Sequence, residues 1–389
     1  MSGARDLFGV HGRGQHERDR RDRDGHRPDG HRPDGPRGRG RGRRGEELMV
    51  PRARPDSYYG KPIIKEPVWG ARDVGGYLFF GGLAGASSVL AGFAHATGRD
   101  ELARASKVCA AGAIGLSGLA LVADLGRPER FVNMLRVAKV TSPMSMGSWL
   151  LSAFGGAASV AAASAVTGRA PRIGAAATAA AALTGPGVCT YTAVLICNTA
   201  VPAWHEAHRE MPYLFAGSAA SAAGGFGMIA APSDQAGQAV RFAVLGAATE
   251  LTAKSLLLRR LGETAEPYQT GRPGKLMEVA EVLTAAGLAG AVLSGGLRPG
   301  RGQRLAAGLS GAALLASSAL TRLGIFEAGR ASARDPKYTV NLQRARMRQR
   351  AATGQPAATG QPAATGQPAA TGQPAGDAHH PGAHAKPHP

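Results

Sequence analysis

The stretch from Gly147 to Cys197, GSWLLSAFGGAASVAAASAVTGRAPRIGAAATAAAALTGPGVCTYTAVLIC, decides the fold class. Its two halves, 147–167 and 173–197, contain no charged residue, and only Arg169 and Arg172 interrupt the run between them. A helix on the surface of a soluble bundle carries charge along one face every three or four residues. Neither half does, and each is long enough to cross the roughly 30 Å apolar slab of a bilayer. They read as two transmembrane helices joined by a short basic turn.

Working outward, runs of the same kind recur near 74–96, 108–124, 212–231, 237–258, 276–297 and 303–325. With 147–167 and 173–197 they make about eight spans, each bounded by charged or Pro/Gly segments such as DLGRPERF and RRLGETAEPYQTGRPGK. The expected fold is therefore all-α and polytopic. The mean hydropathy of the 389-residue chain, −0.12, hides this, because 1–73 and 327–389 hold most of the Arg, Asp, Pro and His. The net charge of +19 likewise comes mainly from the tails and short loops, and points to an anionic membrane surface or to nucleic acid as a neighbour.

Residues 1–50, with ERDRRDRD, tandem HRPDG and GPRGRGRGRR, are of low complexity; they are expected to be a disordered tail without a secretory signal. Residues 51–73 read as an ordered pre-membrane segment, and 327–350 as a basic juxtamembrane segment. A second disordered tail, 351–389, repeats AATGQP four times and ends in a histidine cluster, His379, His380, His384 and His388. Small residues dominate the spans, as in GGLAGASS at 81–88, so small-xxx-small faces such as Gly81 with Gly85 are expected to pack helices closely.

With eight spans both termini share one side of the membrane. That side, here side A, carries the basic N-terminal tail, Arg136 and Lys139, Arg259 and Arg260, and the ARMRQR run at 345–350. Side B has short loops with Arg99, Arg104, Lys107, Arg298, Arg301 and Arg304 among its cations. The positive-inside rule places side A, and both termini, in the cytoplasm of a multi-pass cell-membrane protein.

Ionisable groups inside spans are costly in lipid, so each is a candidate site. Asp124 ends the second span; Tyr191 and Thr192 lie in the fourth; Glu250 and Lys254 are four apart in the sixth, on one face, within reach of pairing there. His95 lies near the end of the first span and Arg322 near the side-A end of the eighth. With only one span histidine, no haem is expected. Cys109, Cys189 and Cys197 fall in apolar runs without CxxC spacing, so no iron–sulfur cluster or other metal is expected within this chain.

The loop residues carry a resemblance. Ala123-Asp-Leu-Gly-Arg-Pro-Glu-Arg-Phe131, Asn133-Met-Leu-Arg136 and Thr141-Ser-Pro-Met-Ser-Met-Gly-Ser-Trp149 are similar to the NrfD/polysulfide-reductase membrane-subunit family. So are Gly76–Gly85, Tyr191-Thr192, Val201-Pro-Ala-Trp-His-Glu206 and Phe326–Tyr338. The resemblance covers about 51–345. It implies eight helices in two four-helix bundles, without haem, anchoring a 4Fe–4S ferredoxin-like subunit and a molybdopterin catalytic subunit, and exchanging electrons with menaquinone or ubiquinone in respiratory, including anaerobic, electron transport. It implies a quinone pocket in the first bundle at Tyr191, Asp124 and Tyr77, with Tyr191 as hydrogen-bond donor and Asp124 as proton relay. Glu250 and Lys254 are candidates for a second proton route, and Arg127, Glu129, Arg130, His205 and Glu206 for the partner interface. The polar residue some members carry early on helix one has no counterpart here, where Gly81 and Gly82 stand. A transporter or channel is the alternative, favoured only by Glu250 and Lys254. The Arg-rich tail alone favours a nucleic-acid tether, and nucleic acid is not an expected partner.

Overall fold

The computed structural model describes residues 63–67, 70–124, 133, 135, 136, 138–298 and 300–353. The two tails, and Arg127, Glu129 and Arg130, lie outside the described residues; of Asp124 only the backbone is described. Among the described residues there is no strand.

The helices are α1 (Ala71–Ala96), α2 (Asp100–Asp124), α3 (Pro143–Thr167) and α4 (Pro171–Cys197), a short α5 (Pro202–Glu206), then α6 (Met211–Ala230) and α7 (Gly237–Leu261). A 3-10 turn at Gly262–Ala265 and a one-turn α8 (Glu266–Gln269) lead into α9 (Gly271–Gly296), α10 (Arg301–Arg334) and the terminal α11 (Pro336–Thr353). Helices α1 to α4 pack on one another as one four-helix bundle, and α6, α7, α9 and α10 as a second. They join where α6 packs on α1 and α4, and α10 on α1.

Seven of these helices are long and apolar enough to cross a membrane: α1, α2, α3, α4, α6, α9 and α10. The eighth expected span, α7, is as long as its neighbours but carries Arg241, Glu250, Lys254, Arg259 and Arg260, which take it out of the apolar class. It packs against α6 and α9 with Glu250 and Lys254 turned into the bundle. The multi-pass character is visible on the outside as well. Leu119, Leu183, Leu293, Leu305 and Leu309 are all more than 60% exposed, with Leu183 at 82%, a distribution suited to acyl chains and costly in water.

Backbone contact replaces side-chain interdigitation at several crossings. A Cβ added at Gly85 of α1 would lie 2.6 Å from the Gly185 carbonyl oxygen of α4, and one at Gly185 would lie 2.5 Å from the Gly85 carbonyl oxygen. Gly81, its expected companion, faces α2 instead, where a Cβ would meet Ser117 Oγ at 3.3 Å. The 81–85 pair thus serves two partners. The α3–α4 turn closes on Gly168, whose φ of 68° places it in the left-handed region while its N–H caps α3 at the Ser164 carbonyl.

The last span is longer than the sequence suggests. Instead of ending near 325, α10 runs unbroken to Arg334, because Ile325, Phe326 and Ala328 remain fully buried against α5 and the 262–269 connection. This extension presents Arg330 and Arg334 to Glu66 in the pre-membrane segment. Glu66 Oε1 accepts from Arg330 Nε at 3.0 Å and Nη2 at 2.8 Å, and from Arg334 Nη2 at 2.6 Å. The hydrogen bond from Arg334, helped by that from Arg330, outweighs the opposing effect of burial and holds the Glu66 carboxyl below its usual value of 4.5. A depressed carboxylate stabilises the docked segment above its ordinary pKa, and that contribution is lost as pH falls through the lowered value. Acidification below about pH 4.5, or Glu66→Gln at neutral pH, is therefore expected to release residues 63–67. Hydrogen exchange of the peptide covering Glu66 reads this out, and equal protection in Glu66→Gln would contradict it.

Candidate functional site

Within the first bundle, α1, α3 and α4 converge on a crevice lined by Tyr77, Gly81, Gly147, Leu151, Tyr191 and Thr192. The local sequence makes it. Gly147 on α3 has no side chain, and the Tyr191 ring of α4 occupies that space, so a Cβ at 147 would overlap the ring and its hydroxyl. Pro186 inside α4 has no N–H to donate, which frees the backbone one turn before the crevice. On the α1 side, Ser117 Oγ of α2 donates to the Tyr77 carbonyl at 3.2 Å and fixes that turn.

Three hydroxyl-bearing residues line it, and none of their hydroxyls has a hydrogen-bond partner among the described residues. Thr192 Oγ1 is buried and unbonded, although a helical threonine ordinarily bonds the carbonyl of the preceding turn. Neither the Tyr77 nor the Tyr191 hydroxyl makes a hydrogen bond. Tyr77 is buried and Tyr191 half-buried. The cavity between them is about 10 Å³, the size of one water.

The second bundle holds Glu250, Lys254 and Arg322, all buried. Glu250 and Lys254 share a helix face, as expected, but do not pair. Lys254 Nζ reaches Glu281 Oε2 on α9 at 2.7 Å and the Met277 carbonyl at 2.8 Å. Glu250 instead accepts from Thr321 Oγ1 of α10 at 2.8 Å and Ser221 Oγ of α6 at 3.3 Å. The four-residue spacing allowed a pair; tertiary packing supplies each residue with a better-placed partner on a different helix.

Arg322, also fully buried, sits at the junction of the two bundles. Its Nη2 donates to the Phe215 carbonyl at 2.6 Å, and its guanidinium carbon lies 3.8 Å from the Phe215 ring centroid. A Cβ at Gly82 of α1 would lie 3.0 Å from Nη2, so Gly82 provides the space the guanidinium fills. Arg322 and Glu250 interact electrostatically. Arg322 Nε and Nη1 have no partner among the described residues. Sequence reading gave Arg322 a position but no role. Ser221, Thr321 and Glu281 escaped it altogether, since isolated serines and threonines and a single glutamate within a helix carry no motif.

On side A, α5 is clamped from two directions. Trp204 Nε1 donates to the Ile325 carbonyl at 2.8 Å and its ring packs against Gly329, where a Cβ would overlap it. Tyr268 Oη donates to the Ala203 carbonyl at 2.8 Å, and complete burial holds that phenol well above its ordinary pKa. This presents His205 to solvent beside the half-buried Glu206. Glu206 Oε1 accepts from Arg346 of α11 at 2.5 Å and its carbonyl accepts from Arg260. Neighbouring Glu210 takes both remaining contacts of Arg260, whose hydrogen bonds hold that carboxyl below its usual range.

No curated protein matches this sequence. The model of the polysulphide reductase, NrfD family matches residues 63–237, which take in the first bundle with its three-hydroxyl crevice, α5 and α6 and stop where α7 begins. Glu250, Lys254 and Arg322 lie beyond the matched stretch. Residues 63–237 of this multi-pass membrane protein are therefore similar to the NrfD family, whose members are membrane subunits of oxidoreductase complexes.

Proposed function

We propose that this chain is the quinone-reactive anchor of a multi-subunit oxidoreductase, exchanging electrons between the quinone pool and a 4Fe–4S ferredoxin-like subunit that connects to a molybdopterin catalytic subunit. The observation that carries the reading is the crevice of Tyr77, Tyr191 and Thr192. A quinone carbonyl is a hydrogen-bond acceptor in need of a donor, and here three hydroxyls without protein partners line one apolar cleft. Leaving a buried hydroxyl unbonded costs roughly 1–3 kcal/mol, which an acceptor arriving from the membrane recovers.

At about 10 Å³ the cleft is smaller than a quinone ring, so entry requires Tyr191 to swing off Gly147. Only a glycine at 147 lets the ring close again afterwards. When bound, the quinone supplies two-electron, two-proton chemistry. The chain's part is to orient its carbonyl through Tyr191 and Thr192, exclude water with Leu150, Leu151 and Val188, and deliver protons from side A. Asp124, at the end of α2, is the proposed relay, and Glu250 with Lys254 the second route. The iron–sulfur subunit meets side A at His205 and Glu206 together with Arg127, Glu129 and Arg130. The charge bias puts that side in the cytoplasm.

The test is quinone binding to the purified chain, read by quenching of its tryptophan fluorescence, in Tyr191→Phe and Thr192→Val. Each is expected to weaken binding about tenfold, the worth of one hydrogen bond in a desolvated site. Unchanged affinity in the double variant would remove the crevice as the site. The transporter reading predicts substrate flux in liposomes from the chain alone, which the anchor reading does not.

A further inference from the structure

A second, larger cavity lies on the opposite face from the proposed partner surface. Its volume is about 400 Å³, and it opens at side B where α6 and α9 end and α7 and α10 begin. Three arginines from three separate elements border it: Arg99 from the α1–α2 turn, Arg241 from α7 and Arg304 from α10. Asp234 is the one acid among its lining residues, leaving the wall at three positive charges against one negative.

These arginines differ from the cations of side A. There Arg260, Arg330, Arg334, Lys337 and Arg346 each have a carboxylate partner. Among the described residues the guanidinium groups of Arg241 and Arg304 have neither an ion pair nor a hydrogen bond, and that of Arg99 donates only to the Gln235 carbonyl at 3.4 Å. Helices α7 and α10 both start at this cavity without a side-chain cap, so their positive ends add to the same field. Gln303 Oε1 lines the cavity too, buried and without a partner, as an acceptor for a hydroxyl. Clustered guanidinium groups with an unsatisfied field recognise phosphate above other anions, because each presents parallel N–H donors to its oxygens.

We propose that this cavity binds a phosphate group through Arg99, Arg241 and Arg304, and that Gln303 accepts from a hydroxyl beside it. The surroundings favour a phospholipid headgroup as the source. Leu245 lies one turn beyond Arg241, Leu305 and Leu309 follow Arg304, and Leu293 and Leu297 flank Ser294, all exposed. The cationic cavity therefore adjoins a lipid-facing apolar surface, where a headgroup sits in the arginines and its acyl chains lie along the leucines. This site is independent of the quinone reading.

The test uses the purified full chain in mild detergent at fixed salt, with thermal unfolding followed by fluorescence. Short-chain phosphatidylglycerol is expected to raise the melting temperature saturably, and phosphatidylcholine to do so much less. Arg241→Gln with Arg304→Gln should weaken the apparent phosphatidylglycerol affinity about tenfold or more, and Asp234→Asn should tighten it. If inorganic phosphate alone reproduces the shift with the same dependence on these residues, the phosphate site stands and its source is soluble. A phosphatidylglycerol shift that is absent, or that survives the arginine substitutions unchanged, overturns the proposal. Should the arginine variant not fold, Asp234→Asn decides, and unchanged affinity there overturns it equally.

Discussion

Arg322→Met is expected to destabilise the protein by about 3–5 kcal/mol, the cost of removing one partner from a buried charge pair. Among the described residues the buried ionisable groups of the second bundle are Glu250, Lys254 and Arg322, and the exposed Glu281 reaches Lys254 from α9. Lys254 is committed to Glu281 at 2.7 Å, so Arg322 is the cation left to balance Glu250. Methionine fills much of the arginine's volume but leaves the carboxylate with the neutral hydroxyls of Thr321, Ser221 and Ser218 as its donors. It also strips the Phe215 carbonyl of its donor and the Phe215 ring of its cation. Glu250→Gln alone should cost less, because an amide still accepts from Thr321. The double variant Glu250→Gln/Arg322→Met should recover at least half of the loss. A cycle of the four proteins in detergent, followed by unfolding in a denaturing detergent, measures the coupling directly. Additive losses would show that Arg322 does not balance Glu250.

The second large effect is expected at Gly246. A Cβ there would press into the Ser221 backbone nitrogen, and would lie 2.8 Å from the Gly217 carbonyl oxygen. The reciprocal position is equally tight, with a Cβ at Gly217 falling 2.6 Å from the Glu250 nitrogen. These are backbone atoms, which cannot rotate out of the way. In lipid no hydrophobic drive returns separated helices to each other; van der Waals contact and interhelical hydrogen bonds hold them. Gly246→Leu should therefore part α6 from α7 and cost more than the roughly 1–3 kcal/mol typical of an overpacked core. Gly246→Ala should fall between it and the wild type. Size-exclusion profiles and melting temperatures in mild detergent would show the order. The same separation withdraws Ser221 from Glu250, so Gly246→Leu and Glu250→Gln should be less than additive. A leucine variant that melts like the wild type would mean that the close approach at 246 contributes nothing.

How far the sequence reaches can be judged residue by residue. The charge-free runs at 147–167 and 173–197 announce helices because a bilayer tolerates no unpaired backbone group, and composition alone states that constraint. Tyr77 and Tyr191 were legible as a pair only through the family resemblance. What places them on one crevice is the glycine at 147, whose missing side chain is an absence that no motif marks. Span α7 was legible as a helix and ambiguous as an apolar one, because its buried charges are met by partners 27 and 71 residues further along the chain, at Glu281 and Thr321.

Glu250 and Lys254 mark the boundary between the two kinds of information. Their spacing of four puts them on one face, and helical geometry guarantees that much. Which partner each takes is a contest between a local contact and distant ones, and only the packed helices settle it. Sequence by itself determined an all-helical, multi-pass protein with small-residue crossings, because hydropathy and residue size act locally along the chain. The three-hydroxyl crevice, the Glu250–Arg322 balance and the unpaired arginines of side B were decided by the tertiary structure. Each depends on which side chain is brought within about 3 Å of which other, the range over which hydrogen bonds form, and no single segment contains that distance.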